Sequence, residues 1–164
     1  VGQIPEDLTV LEILGIAVKT EGDAAEFYWN LAKLINNPLV IKKVERLAID
    51  EEQHSETLTK EYQRLSGGEE PVLPKGFKTN VKKDFDPNVA PEKLIAEAME
   101  IERRAQEFYH EAAMRSEDPR GRNVLEYLSR FEGDHYKLLQ TELEQLKKDP
   151  NWFENSEDLF HVGP

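Results

Sequence analysis

Glu51-Glu52-Gln53-His54 returns 81 residues later as Glu132-Gly133-Asp134-His135, and thirty residues before each copy stands a further glutamate, Glu21 and Glu102. On an α-helix, positions i and i+3 share a face about one turn apart, so each Glu/His pair presents a carboxylate and an imidazole to one point. The same offset of 81 lays residues 11–65 over residues 92–146 without a gap, and 15 of those 55 positions are identical. The shared positions include Glu-x-x-Ala-x-Glu-Phe-Tyr at 21–28 and 102–109, the prolines Pro38 and Pro119, and both Glu-x-x-His motifs. Chance matching of two unrelated hairpins would scatter Leu, Ala and Glu coincidences without reproducing those motifs together. The chain reads as a duplicated pair of helices.

Apolar Leu11, Leu14, Val18, Phe27, Leu31 and Leu34 recur at mostly three- or four-residue steps behind a Thr9-x-x-Glu12 capping box, which predicts a first helix over about 10–36. Asn37-Pro38 and Asp118-Pro119 each set a capping side chain before a proline whose missing N–H costs nothing at the first helical position. They predict tight links into helices over about 38–65 and 119–148, with a third helix over about 91–117. Ser66-Gly67-Gly68 closes the second helix. Residues 67–90 carry Gly, Pro and mixed charge without helical period, apart from Phe77–Phe85, which could run extended. Two hairpins joined by one long connection give an all-α fold: a four-helix bundle with a single crossover loop, in one domain spanning residues 1–164. The tail at 149–164 contains Trp152, Phe153, Leu159 and Phe160, enough aromatic and apolar surface to require cover either by its own bundle or by another subunit.

A net charge of −12 argues against nucleic acid as a partner, because phosphate-backbone binding rests on clustered Lys and Arg. Cysteine is absent, so any metal must be held by oxygen and nitrogen, with no iron–sulfur cluster. No apolar run approaches the roughly 20 residues needed to span a bilayer. Val1–Val10 lacks a secretory signature, and a cytoplasmic protein without a membrane partner is the expectation.

A solitary Glu-x-x-His on an acidic helix is ordinarily solvated. Two copies in register within a repeat, each with a matching upstream glutamate, predict that Glu21, Glu51, His54, Glu102, Glu132 and His135 converge as metal ligands. Four buried glutamates would cost several kcal/mol each without counter-charge, whereas two divalent cations and two neutral imidazoles neutralise the set. The repeat also separates neighbours: Asp50 and Glu52 align with Phe131 and Gly133, so only Glu51 has an acidic counterpart. Glu26 and Glu107 fall off the ligand face. Tyr28 and Tyr109, nearly two turns beyond Glu21 and Glu102, return to it, where each either fills core or orients a ligand carboxylate. Phe27 and Phe108 read as core, and His110 and His161 as ordinary histidines.

These motifs resemble the ferritin-like diiron-carboxylate superfamily, most closely its rubrerythrin-related members, here without the rubredoxin domain. The resemblance covers residues 10–148 and implies two iron ions and no haem, with Glu51 and Glu132 bridging, Glu21 and Glu102 terminal, and His54 and His135 one on each iron. Manganese, zinc or cobalt suit the same donors. Rubrerythrins carry one more carboxylate three residues after the third-helix ligand. Here that position is Ala105, equivalent to Ala24, and the six-residue set is instead similar to the bacterioferritin ferroxidase centre. It also overlaps the patterns of manganese catalase and the ribonucleotide reductase small subunit.

The implied activity is a non-haem diiron oxidoreductase acting on hydrogen peroxide or dioxygen, a rubrerythrin-like peroxidase in oxidative-stress protection. Its electrons would come from a separate donor protein such as a rubredoxin, and the chain would form a homodimer or higher homo-oligomer. Ferroxidase activity with iron storage or sequestration is the alternative, dimanganese catalase-like activity a further one. A purely structural bundle that never binds metal is a third class.

Overall fold

The computed structural model describes residues 4–155. Among them are four helices, α1 (Val10–Ala32), α2 (Pro38–Ser66), α3 (Pro91–Arg115) and α4 (Pro119–Lys148), and no strand. α1 packs along α2 and α3 along α4 as two antiparallel hairpins. Between them, α1 meets α3 and α2 meets α4 more sparsely. This is the ferritin-like bundle that the repeat implied.

The expected caps form. Thr9 and Glu12 bond each other's backbone N–H as a capping box. Asn37 accepts from the Leu39 N–H at 3.0 Å and Asp118 from the Gly121 N–H at 2.7 Å, each just before its proline. Gly67 closes α2 with φ of 78°, a left-handed conformation that a side chain would oppose. α1, expected to reach residue 36, stops at Ala32, because the tail takes over its end. The N–H groups of Asn36 and Asn37 both donate to the Phe153 carbonyl, at 2.9 and 3.0 Å, in place of continuing helical bonds. α3 likewise stops at Arg115 rather than 117, with Ser116 extended ahead of the Asp118 cap.

Trp152 and Phe153 pack on their own bundle. Phe153 is buried in the core, and the Trp152 indole N–H donates 2.9 Å to Glu142. Leu159, Phe160 and His161 lie outside the described residues.

Two apolar clusters occupy the two ends of the bundle. One gathers Phe27, Leu31, Val44, Leu47, Ile95 and Leu139, and the other Leu14, Ala17, Leu58, Ala112, Leu125 and Leu128. At roughly 1.5–3 kcal/mol per fully buried large side chain, these two plugs hold the hairpins together. The candidate ligands fall between them along every helix.

Residues 67–90 form no regular element and run the length of α1. The Val72 carbonyl crosses against Gly15, Thr79 donates to Asp23, and Asn30 donates 2.8 Å to the Lys83 carbonyl. Phe85 then packs on Phe27 in a tilted arrangement, with ring centroids 5.2 Å apart. The connection thus returns the chain from the end of α2 to the start of α3, as a one-crossover bundle requires. The recurring Glu61 and Glu142 join α2 to α4 at opposite ends: Glu61 pairs with Arg120 at 3.3 Å, and Glu142 with Lys43 at 2.5 Å.

Candidate metal centre

Each helix contributes to one polar layer: Glu21 from α1, Glu51 and His54 from α2, Glu102 from α3, and Glu132 and His135 from α4. All six are buried. The helical period accounts for the convergence, since each Glu/His pair is one turn apart on the face that also carries Leu47 and Leu58, or Leu128 and Leu139, into the core.

The ligand atoms fall into two groups, Glu21–Glu51–His54–Glu132 and Glu51–Glu102–Glu132–His135, each with its donor atoms within 4.8 Å of one another. Glu51 and Glu132 belong to both groups. Two carboxylates thus lie centrally, with a Glu/His couple on each side. The Nδ1 atom of His54 lies 2.8 Å from Glu132 and 3.9 Å from both Glu21 and Glu51. His135 Nδ1 lies 2.8 Å from Glu51, 3.2 Å from Glu132 and 3.5 Å from Glu102.

Several of these close approaches are not hydrogen bonds. Glu21 Oε2, Glu51 Oε1 and Glu102 Oε2 are buried without a hydrogen-bond partner. Glu51 Oε1 remains unsatisfied even though His135 Nδ1 is 2.8 Å away, because the two atoms are not aligned for donation. Unsatisfied buried carboxylate oxygens are costly, and donor atoms crowded around common points without mutual bonds match what a pair of cations requires. Oxygen and imidazole donors suit iron, manganese, zinc or cobalt alike.

The two tyrosines cross between hairpins. The Tyr28 hydroxyl on α1 donates 2.5 Å to Glu102 on α3, and the Tyr109 hydroxyl on α3 donates to Glu21 on α1. Each orients the outer carboxylate of the opposite hairpin. Burial pushes both phenols well above their ordinary range, reinforced by the surrounding glutamates, so both remain protonated donors.

Burial also pushes Glu51 up to about 7, with the Glu102 charge adding to the effect and His135 opposing it. Glu102 rises well above the usual carboxylate range through burial and the neighbouring Glu132. Burial alone would pull His135 down, but the surrounding carboxylates of Glu102, Glu132 and Glu51 carry it well above its ordinary value. Without metal, the cluster therefore retains protons at neutral pH. Binding cations would displace them.

Glu26 and Glu107 are exposed, as their helical phase predicts, and His110 is exposed as well. Phe27 is buried, while Phe108 is half-buried against the second apolar cluster. Neither Ala24 nor Ala105 can supply a seventh donor, and among the described residues no further carboxylate joins the two groups. Asp50, which has no acidic counterpart in the second half of the repeat, is also buried, with its carboxylate 3.0 Å from His135 Nε2. Matching the two halves of the repeat does not reveal it. The unusual signal was a charged residue one position before a ligand whose counterpart, Phe131, is aromatic.

The sequence pattern of the rubrerythrin family matches residues 12–143 of this chain. The chain belongs to the rubrerythrin family. This rubrerythrin-family chain is 31% identical to a hypothetical protein from Pyrococcus furiosus, over 87% of its own length and 92% of the other, with a TM-score of 0.77. It shares its fold with a bacterioferritin from Rhodobacter capsulatus solved with a metal-free dinuclear site and haem iron, at 23% identity over 98% of each chain and a TM-score of 0.73. BfrA from Mycobacterium tuberculosis has the same fold, at 19% identity over 89% of this chain and 88% of that one, with a TM-score of 0.69. No curated protein sequence matches it. None of the helices among the described residues is long and apolar enough to cross a membrane.

Proposed function

We propose that this rubrerythrin-family chain is a non-haem diiron oxidoreductase that reduces hydrogen peroxide or dioxygen in the cytoplasm and so limits oxidative stress. The observation that carries the reading is the pair of four-residue donor groups sharing Glu51 and Glu132. Glu51 and Glu132 would bridge two iron ions, Glu21 with His54 would complete one position, and Glu102 with His135 the other. Manganese or zinc fits the same donors. When bound, the metal pair supplies two electrons at one place, which matches the two-electron, two-proton reduction of hydrogen peroxide to two water molecules.

The chain's own residues position and insulate that chemistry. Tyr28 and Tyr109 hold Glu102 and Glu21 in their ligating orientation while keeping their phenolic protons. The apolar plugs above and below exclude bulk water along the bundle axis. A cavity of about 620 Å³ between α1 and α3, bordered by Ala17, Thr20, Val81 and Ala105, reaches Tyr109 and gives a small oxidant an approach from the side. The 164 residues contain no cysteine to carry electrons, and the proposed electron source is a separate donor of the rubredoxin kind. The proposed assembly is a homodimer or larger homo-oligomer.

Rapid mixing of anaerobic, Fe(II)-loaded protein with hydrogen peroxide tests this reading. The expected result is an absorbance change that saturates with two irons per chain and disappears in Glu51→Ala. A trace no different from free ferrous ion would contradict it.

A second reading is ferroxidase activity serving iron storage, favoured by Ala105 standing where a seventh carboxylate would be needed for a rubrerythrin-type donor set. Storage requires a hollow assembly. A solution mass of dimer size would exclude it.

A further inference from the structure

The repeat matches the six candidate ligands and both tyrosines pair by pair, but it does not match what stands behind the two histidines. On α2, Asp50 approaches His135 Nε2 at 3.0 Å, and Arg46, one turn earlier, pairs with Asp50 at 3.1 Å. On α4 the equivalent positions are Tyr127 and Phe131. The Phe131 ring meets both histidines edge-to-face, His54 at a centroid distance of 4.6 Å and His135 at 5.0 Å, and Tyr127 packs on Phe131 at 5.7 Å. Among the described residues, no hydrogen bond reaches His54 Nε2. Both imidazoles therefore touch the aromatic ring, but only His135 has an ion-paired carboxylate at its outward nitrogen.

Both histidines turn Nδ1 towards the shared glutamates, leaving Nε2 as the outward nitrogen. A carboxylate accepting from that outward N–H fixes the tautomer, locks the ring and makes the inner nitrogen a stronger donor. Losing such a partner typically costs 10- to 100-fold in metal affinity. An aromatic edge can hold the ring in place but adds nothing to its basicity.

Resting on the dinuclear reading above, we propose that the two metal positions are unequal. The Glu102–His135 position, buttressed by Asp50 and Arg46, binds first and tightly, and the Glu21–His54 position, backed by Phe131 and Tyr127, fills second and exchanges readily. Asp50 is a positioning residue that acts through His135. The asymmetry gives the site one fixed metal and one labile metal, although its ligand set is symmetric.

Calorimetric titration of metal-free protein with Co(II) tests this. Wild type should show two sites per chain with affinities separated by about 10- to 100-fold. Asp50→Asn, which preserves shape, should weaken the tighter site by a similar factor, leaving the weaker one unchanged and the two nearly equal. Arg46→Gln, at an exposed position, should shift the same site in the same direction by less. Nitrogen-15 spectra of His135 in Zn(II)-loaded protein should show a strongly hydrogen-bonded Nε2–H in wild type that weakens in Asp50→Asn, a readout that a general loss of stability would not produce. Two sites of equal affinity in wild type, or an Asp50→Asn protein that retains both affinities, would overturn the inference and leave the dinuclear site standing. Failure of wild type to bind Co(II) would overturn both.

Discussion

Tyr28 of α1 donates a 2.5 Å hydrogen bond to Glu102 of α3, so the first half of the repeat orients a carboxylate of the second. Tyr109 does the same for Glu21 in the opposite direction. Removing one hydroxyl leaves a buried carboxylate oxygen unpartnered, at a cost of about 1–3 kcal/mol. Tyr28→Phe and Tyr109→Phe should each lower the metal-free denaturation midpoint and weaken metal binding by about 10- to 100-fold. Urea unfolding and metal titration of the two variants check this. Equal effects are expected, because the two bonds are related by the repeat.

Stability of the metal-free protein should fall as the pH rises. Glu51 ionises near 4.5 in the unfolded chain and at about 7 in the folded one, so below 4.5 it is protonated in both states and imposes no penalty. Between those values the unfolded chain releases its proton first. The native state loses up to roughly 3 kcal/mol by the time the pH passes 7. The raised His135 acts in the same sense, its contribution complete below about 6.5 and declining as the pH climbs towards its displaced folded value. Metal ligation needs the deprotonated carboxylates, so the loaded protein should lack this decline and bind metal more tightly at higher pH. Denaturation midpoints from pH 4 to 8, with and without metal, separate the two behaviours.

Gly15 marks where the crossover loop touches α1. A Cβ there would lie 2.2 Å from the Val72 carbonyl oxygen, a backbone atom that can move only with its loop. At the equivalent position of α3, where no loop crosses, the residue is Ala96. Gly15→Ala should therefore destabilise by about 1–3 kcal/mol despite improving helix propensity. Ala96→Gly should cost no more than about 1 kcal/mol. Thermal denaturation of both variants, with proteolysis of the loop as a second readout, checks the contrast.

Local chemistry made most of the fold legible in the sequence. Thr9, Asn37, Asp118 and Gly67 act within one turn of themselves, and the helix boundaries they mark agree closely with the structure. The end of α1 was not legible, because the Phe153 carbonyl that takes the Asn36 and Asn37 N–H groups lies more than 110 residues away. The path of residues 67–90 was hidden for the same reason, being fixed by Gly15, Asp23, Asn30 and Phe27 on a helix already passed. The convergence of Glu21, Glu51, His54, Glu102, Glu132 and His135 was legible because duplication turned six isolated polar residues into three matched pairs. Asp50 was hidden by that same logic: its contact with His135 exists only where the two halves differ.

The central claim is that these six side chains hold two metal ions between Glu51 and Glu132. Anomalous diffraction from crystals of Fe(II)-loaded protein tests it most directly. Two peaks about 3.5–4 Å apart are expected between the shared glutamates, one beside Glu21 and His54 and the other beside Glu102 and His135. A map with no peak in that layer, or with iron only at surface carboxylates, would contradict the account.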